Sequence, residues 1–266
     1  MLAALRTTAR AHWPEYLIEA AGLGVFMLSA LGFTLLLEHP ASPLRQVLDD
    51  AFLRRALMGC AMGATLIALV YNRFGQRSGA HYNPAFTATF WRLGKIAPAD
   101  ALGYALAQFA GGILGVALLA LGFSMWLGDS RVQYAVTLPG ARGVGAAFTG
   151  EVAIAFSQML LVLVASNTKR LNKWTGVFAA IGVATYITFE APISGMSMNP
   201  ARTLGSAIGA GNYTALWLYF AAPLIGVLLA AELYVRTRGA HRVHCAKFHH
   251  ENRERCIFRC DYGTAN

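Results

Sequence analysis

Apolar residues dominate six stretches of the chain, at about 16–37, 51–71, 98–127, 147–166, 174–191 and 214–235. Each is close to the ~20 residues an α-helix needs to cross the hydrocarbon core of a bilayer. Six membrane-spanning helices are therefore expected. Two shorter stretches, 83 to about 93 (NPAFTATFWRL) and 199 to about 209 (NPARTLGSAIG), follow spans two and five. Each is long enough for a helix of about half a bilayer. Both begin Asn-Pro-Ala, and Asn is a preferred N-cap while Pro is favoured at the first helical position. Asn83-Pro84-Ala85 and Asn199-Pro200-Ala201 thus read as the starts of two half-helices.

The two starts belong to one repeated frame, Ser-Gly-x-x-x-Asn-Pro-Ala-x-Thr, whose copies lie 116 positions apart. Tyr104-x3-Gln108-x2-Gly111 has a counterpart, Tyr219-x3-Pro223-x2-Gly226, at an offset of 115, and Glu19 in span one pairs with Glu151 in span four. Three spans separate the copies, so the half-helices enter the bilayer from opposite faces and their N-termini meet near its middle. Irregular backbone at that depth is tolerated only where it is buried in protein or lines a water-filled cavity. The loops at 75–83 and 190–199 are therefore candidate pore linings. Each half-helix presents the equivalent of roughly +0.5 charge at its N-terminus, and two facing each other repel cations. Asn83 and Asn199 each carry amide N–H donors for a passing water oxygen, which interrupts the donor chain along which protons hop. Glu19 and Glu151 are too costly to face lipid and are expected to turn inward and accept from loop N–H groups.

Composition agrees with a polytopic membrane protein, because 56% hydrophobic and 13% charged residues in 266 leave too little polar surface for a soluble globule. The net charge of +9 is unevenly placed. With both termini inside, sixteen Lys and Arg fall on inner segments and five (Arg45, Arg54, Arg55, Arg131, Arg142) on outer ones, leaving Arg202 within the membrane. Basic residues gather on the cytoplasmic side, so both termini are expected there, in a cell inner or plasma membrane. The charge then meets anionic lipid, and no nucleic-acid partner is needed to explain it. No Ser-His-Asp, Cys-His or carboxylate pair assembles, so no enzyme is read. Trp13, Trp91, Trp126, Trp174 and Trp217 lie near span ends and read as interfacial anchors, and Cys60 reads as a small packing residue within span two.

SGAHYNPAFT and SGMSMNPART, with a membrane Glu heading each half and Tyr-x3-Gln in span three, resemble the aquaporin, or major intrinsic protein, family. The resemblance covers about residues 16–236. It implies an all-α hourglass of six tilted helices and two half-helices, a passive pore for water and small neutral solutes in each subunit, and a homotetramer in the lipid bilayer. It also implies a selectivity filter around Arg202, with Met196 and Ile187 as partners and Met62 or Gly63 from span two. The His and Phe of a strictly water-selective filter are missing, while Thr203 stands where glycerol-conducting relatives place an Asp. A glycerol or ammonia facilitator of the same fold is the alternative, with a proton-coupled transporter or a junctional structural protein as more distant ones. His81 reads as a residue of the pore mouth.

The expected organisation is a cytoplasmic N-terminal arm at 1–15, a channel domain at 16–236 with repeats at about 16–127 and 147–236, and a cytoplasmic basic tail at 237–266. The arm reads as retained and not as a cleaved signal, since no small-residue cleavage site precedes span one. The tail concentrates Cys245, His249, His250, Cys256 and Cys260, with His241 and His244 nearby. Cytoplasmic thiols are normally reduced, and zinc accepts mixed thiolate and imidazole ligands. A zinc site is one reading of the tail; a basic, lipid-facing segment is the other, because Cys-x10-Cys-x3-Cys lacks a paired knuckle. No cofactor is expected elsewhere.

Overall fold

The computed structural model describes residues 2–262, with side chains from Thr7 onward, so Arg6 of the basic count lies outside the described side chains. Eleven α-helices form among the described residues: α1 (Leu2–Glu38), α2 (Pro43–Val47), α3 (Ala51–Tyr71), α4 (Arg73–Ser78), α5 (Pro84–Arg92), α6 (Pro98–Leu127), α7 (Gly143–Ser166), α8 (Thr175–Phe189), α9 (Ala191–Ser194), α10 (Pro200–Ala210) and α11 (Leu218–Arg238). No strand occurs among them.

Five helices, α1, α3, α6, α7 and α11, are long and apolar enough to cross a membrane. The sixth apolar stretch is a composite. Its central helix α8 has 15 residues, about 22 Å of rise against a core of ~30 Å. A 3-10 turn at Asn172–Trp174 precedes it, and α9 follows through Glu190, whose backbone is still right-handed helical. The break has a local cause. Pro192 lacks the N–H that would bond the Thr188 carbonyl, and that carbonyl accepts instead from Arg55 Nε at 3.3 Å.

Residues 2–15, expected as a separate arm, continue α1 as helix despite Pro14. Long-range partners hold the extension: His12 Nδ1 lies 2.7 Å from Asp100 Oδ1, and Arg77 Nε donates to Glu15 at 3.0 Å. None of these partners is adjacent in sequence. The five Trp are all at least half exposed, Trp91, Trp126, Trp174 and Trp217 near helix ends and Trp13 within the extended α1. Cys60, read as a small packing residue of span two, is exposed on α3.

The duplication is visible in the packing. α1 lies along α6 and α7 along α11, while α3 from one half pairs with α8 from the other. Half-helix α10 seats directly on α6, backbone to backbone: a Cβ on Gly112 would come within 2.7 Å of Ala201 O, and one on Gly205 within 2.6 Å of Gly112 O. Small residues at such crossings let helices approach where lipid supplies no hydrophobic drive. Gly205→Leu is therefore expected to unseat α10 and cost about 1–3 kcal/mol or more by overpacking. Thermal unfolding in detergent should show a lowered midpoint, and an unchanged midpoint would refute the crossing.

Candidate functional site

The two repeated loops have the same construction. In the first, Ala80 (φ 59) and Tyr82 (φ 45) are left-handed; in the second, Met196 (φ 50) and Met198 (φ 53) are. Side chains at such φ are strained by about 1–3 kcal/mol each unless the surroundings impose them. Buried carboxylates impose them here. Glu19 Oε1 accepts from Ser78 Oγ (2.7 Å) and His81 N (3.1 Å), and Oε2 from Tyr82 N (2.6 Å) and Gln108 Nε2 (2.8 Å). Glu151 Oε1 accepts from Ser194 Oγ (2.8 Å) and Ser197 N (2.6 Å), and Oε2 from Met198 N (2.7 Å). Tyr104 OH and Tyr219 OH complete the pattern by donating to the carbonyls of Ser78 (2.7 Å) and Ser194 (2.6 Å).

The half-helices begin where these loops end. Asn83 Oδ1 caps Ala85 N at 2.9 Å, and Asn199 Oδ1 caps Ala201 N at 3.1 Å and Arg202 N at 3.3 Å. Pro84 and Pro200 occupy the first turns. The Asn amides then tie the halves together, because Asn83 Nδ2 donates to Met198 O (2.7 Å) and Asn199 Nδ2 to Tyr82 O (2.8 Å). An Asn amide carries two N–H bonds, so one on each side chain remains for another acceptor.

Both Asn residues line one cavity of ≈ 340 Å³. Met62, Ile187, Met196 and Arg202 line it too, whereas Gly63 does not. Gly63 faces α8 instead, where a Cβ would lie 3.0 Å from Ala180 O. Ala85 and Ala201 are buried behind the wall. Arg202 Nη1 is buried without a hydrogen-bond partner. His81 also lines the cavity, but its ring is engaged: Nδ1 lies 3.0 Å from Thr87 Oγ1 and Nε2 2.9 Å from Ala246 O, with Phe90 and Phe258 stacked on it. Glu190 is tied to Ser194 Oγ at 2.9 Å.

Sequence reasoning missed many of the cavity residues, Arg55 and Phe248 among them. Arg55, counted only as an outer-loop charge, lines one end. Phe248 from the tail lines the other, with its ring 5.8 Å from that of Phe86. No local signal marks it. Of the five tail residues singled out for metal chemistry, four converge: the ligand atoms of Cys245, His250, Cys256 and Cys260 all lie within 4.8 Å of one another. His249 turns away, its ring 5.0 Å from Tyr71.

A family profile described as Major intrinsic protein matches residues 6–234. The chain belongs to the major intrinsic protein family. Among curated relatives it is 36% identical over 174 residues to a probable aquaporin NIP-type of Nicotiana alata, covering 65% of this chain and 62% of that one. It is 35% identical over 180 residues to aquaporin NIP6-1 of Arabidopsis thaliana, covering 67% and 57% respectively. The chain thus spans less than two thirds of the length of these relatives. Among solved structures, the aquaglyceroporin from Plasmodium falciparum superimposes with a TM-score of 0.67 over 84% of this chain and 95% of that one, at 20% identity. That likeness fixes the fold as the all-helical one of this family.

Because each Glu satisfies N–H groups that have no other acceptor nearby, Glu151→Ala should leave Ser197 N and Met198 N unpaired at about 1–3 kcal/mol each. Glu151→Gln keeps one acceptor oxygen and should lose less. Thermal unfolding of the two variants against wild type checks the order, and equal loss would refute the acceptor role.

Proposed function

We propose that this protein is a passive membrane channel for water and small uncharged solutes. One observation carries the reading: two opposed half-helix N-termini meet, cross-tied, on the wall of a single cavity that Arg202 also lines. The facing dipoles and the permanently charged guanidinium raise a barrier to cations. The free N–H of Asn83 and of Asn199 would each orient a passing water so that proton hopping is interrupted. Names given to the relatives, aquaporin and aquaglyceroporin, agree with this chemistry.

The filter wall supports the wider of the two solute classes. Met62, Ile187 and Met196 line the same cavity as Arg202 with apolar atoms, and none is a donor, so a solute with carbon backbone as well as hydroxyls suits it as well as water does. Thr203, where a carboxylate would stand in a glycerol-conducting relative, is bonded to Thr137 Oγ1 at 2.8 Å and to Ser197 Oγ, a neutral network with no charge to bury. Glycerol or ammonia facilitation is therefore the second reading. The basic residues of the tail, Lys95 and the 169–173 loop support a reading in which both termini lie on the cytoplasmic side of an inner or plasma membrane. Exposed Leu114, Leu118 and Leu121 on α6 give the apolar surface that a tetramer or lipid would cover.

Stopped-flow light scattering of reconstituted liposomes tests the proposal. Osmotic shrinkage is expected to exceed that of empty vesicles, and glycerol re-swelling to follow. Arg202→Ala should preserve water flux and admit a cation leak absent from wild type. Shrinkage no faster than in empty vesicles, for wild type and for Phe248→Ala alike, would sink the channel reading.

A further inference from the structure

Beyond α11 the chain reverses at Gly239 (φ 90) and folds back over the loops of one face. Phe248 N donates to Gly79 O (3.2 Å), Arg259 N to Lys95 O (3.0 Å), and His244 N to Asn167 Oδ1 (2.7 Å). Tyr262 OH bonds Ser166 O, and Lys95 Nζ pairs with Asp261 at 2.5 Å. Val243, Cys245, Ala246, Lys247 and Phe248 are each less than 5% exposed. Yet apart from one 3-10 turn its described residues, as far as Tyr262, form no helix or strand. Something other than backbone ladders must hold its shape.

The four convergent side chains are suited to that. Cys245 Sγ and Cys256 Sγ lie 3.7 Å apart, well beyond the ~2.05 Å of a disulfide and close to the ~3.8 Å between sulfurs that share a tetrahedral zinc at 2.3 Å. Cys260 Sγ is 2.9 Å from His250 Nε2. The widest pair, at most 4.8 Å, needs to close by about 1 Å. His250 is aimed by its stacking on Tyr262, with ring centroids 4.4 Å apart and planes at 8°. Fixing the orientation of a histidine is what outer partners do in metal sites. Three thiolates and an imidazole around Zn²⁺ leave one net negative charge, and a buried cation adjoins them. Lys247, 2% exposed, donates to Glu254 O (3.1 Å) and Arg255 O (2.8 Å), closing the loop that returns Cys256 to Cys245.

We propose that Cys245, His250, Cys256 and Cys260 bind one zinc-class divalent ion, and that the ion holds the tail across one mouth of the cavity with Phe248 set into it. The second half rests on the channel reading above. The ion knots residues 245–260 into the shape that places Ala246 O on His81 and the Phe248 and Phe258 rings on the first motif loop. Without it, a segment with so little secondary structure is held by its docking contacts alone and is expected to loosen.

The test uses the full chain purified with added zinc. Stoichiometric zinc is expected by elemental analysis, as is thiolate-to-metal absorption when Co²⁺ replaces it. Stripping with a chelator should open Arg253 and Arg255 to trypsin and raise liposome water flux several-fold, and zinc should reverse both. Cys256→Ser should lose the metal, while Phe248→Ala should keep it yet conduct as the stripped protein does. Background zinc in the supplemented protein, no cobalt-thiolate absorption, or stripping that changes neither trypsin cleavage nor flux would overturn the proposal. Zinc-dependent trypsin protection without permeability in any form would uphold the metal site and sink the channel reading instead.

Discussion

The fold turns on the two hydrogen bonds that cross its centre, Asn83 Nδ2 to Met198 O and Asn199 Nδ2 to Tyr82 O. Each Asn uses its oxygen to start its own half-helix and its nitrogen to grip the opposite loop. Neither loop can therefore be placed without the other. The gripped carbonyls belong to Tyr82 and Met198, both left-handed residues whose N–H groups are held from behind by Glu19 and Glu151. Strain, capping and charge burial are thus satisfied by one set of atoms. Removing any one leaves a buried donor or acceptor unmatched, which costs more than the net worth of the bond it made.

This arrangement explains why ionisable residues are tolerated so deep in an apolar bundle. Glu19 and Glu151 are fully buried, but every contact given above for them is an N–H or O–H. Their acceptors are filled largely by backbone N–H groups of the left-handed loops, for which no other bond forms. Close crossings such as that of Gly112 and Gly205 then bring α6 against α10 so that the loops remain under cover.

Much of this was legible in the chain because its signals are local. Asn-Pro at a helix start, a duplicated frame and a Glu in an apolar span each carry their own physical meaning. The rest depended on partners distant in sequence. Whether Met62 or Gly63 meets the cavity is decided by how closely α3 approaches α8, which periodicity does not reveal. The extension of α1 depends on Asp100 and Arg77, and the shortness of α8 on a proline that follows it. In the tail, residue types suggested metal chemistry, but their spacing was uninformative because a buried Lys247, and not a tight knuckle, closes the loop.

The duplicated scaffold is most informative where its halves differ. Shifting by the 116-residue offset, Phe86 occupies the position of Arg202, and His81 that of Ser197. Gln108 donates to Glu19, whereas its counterpart is Pro223, which has no donor to offer Glu151. The second half thus carries one fewer neutral donor and one guanidinium. The first carries aromatic and imidazole rings in their place. The cavity wall consequently carries a guanidinium from the second frame and imidazole and phenyl rings from the first, although both grew from the same ten-residue pattern. An apolar face accepts an apolar ring, and Phe248 lies against Phe86, which stands at the first-half position of Arg202. The same face bearing arginine would expose its charge to that ring in a desolvated setting. Where the second half sets Arg202 in the cavity wall, the first therefore sets an aromatic face that the tail can cover.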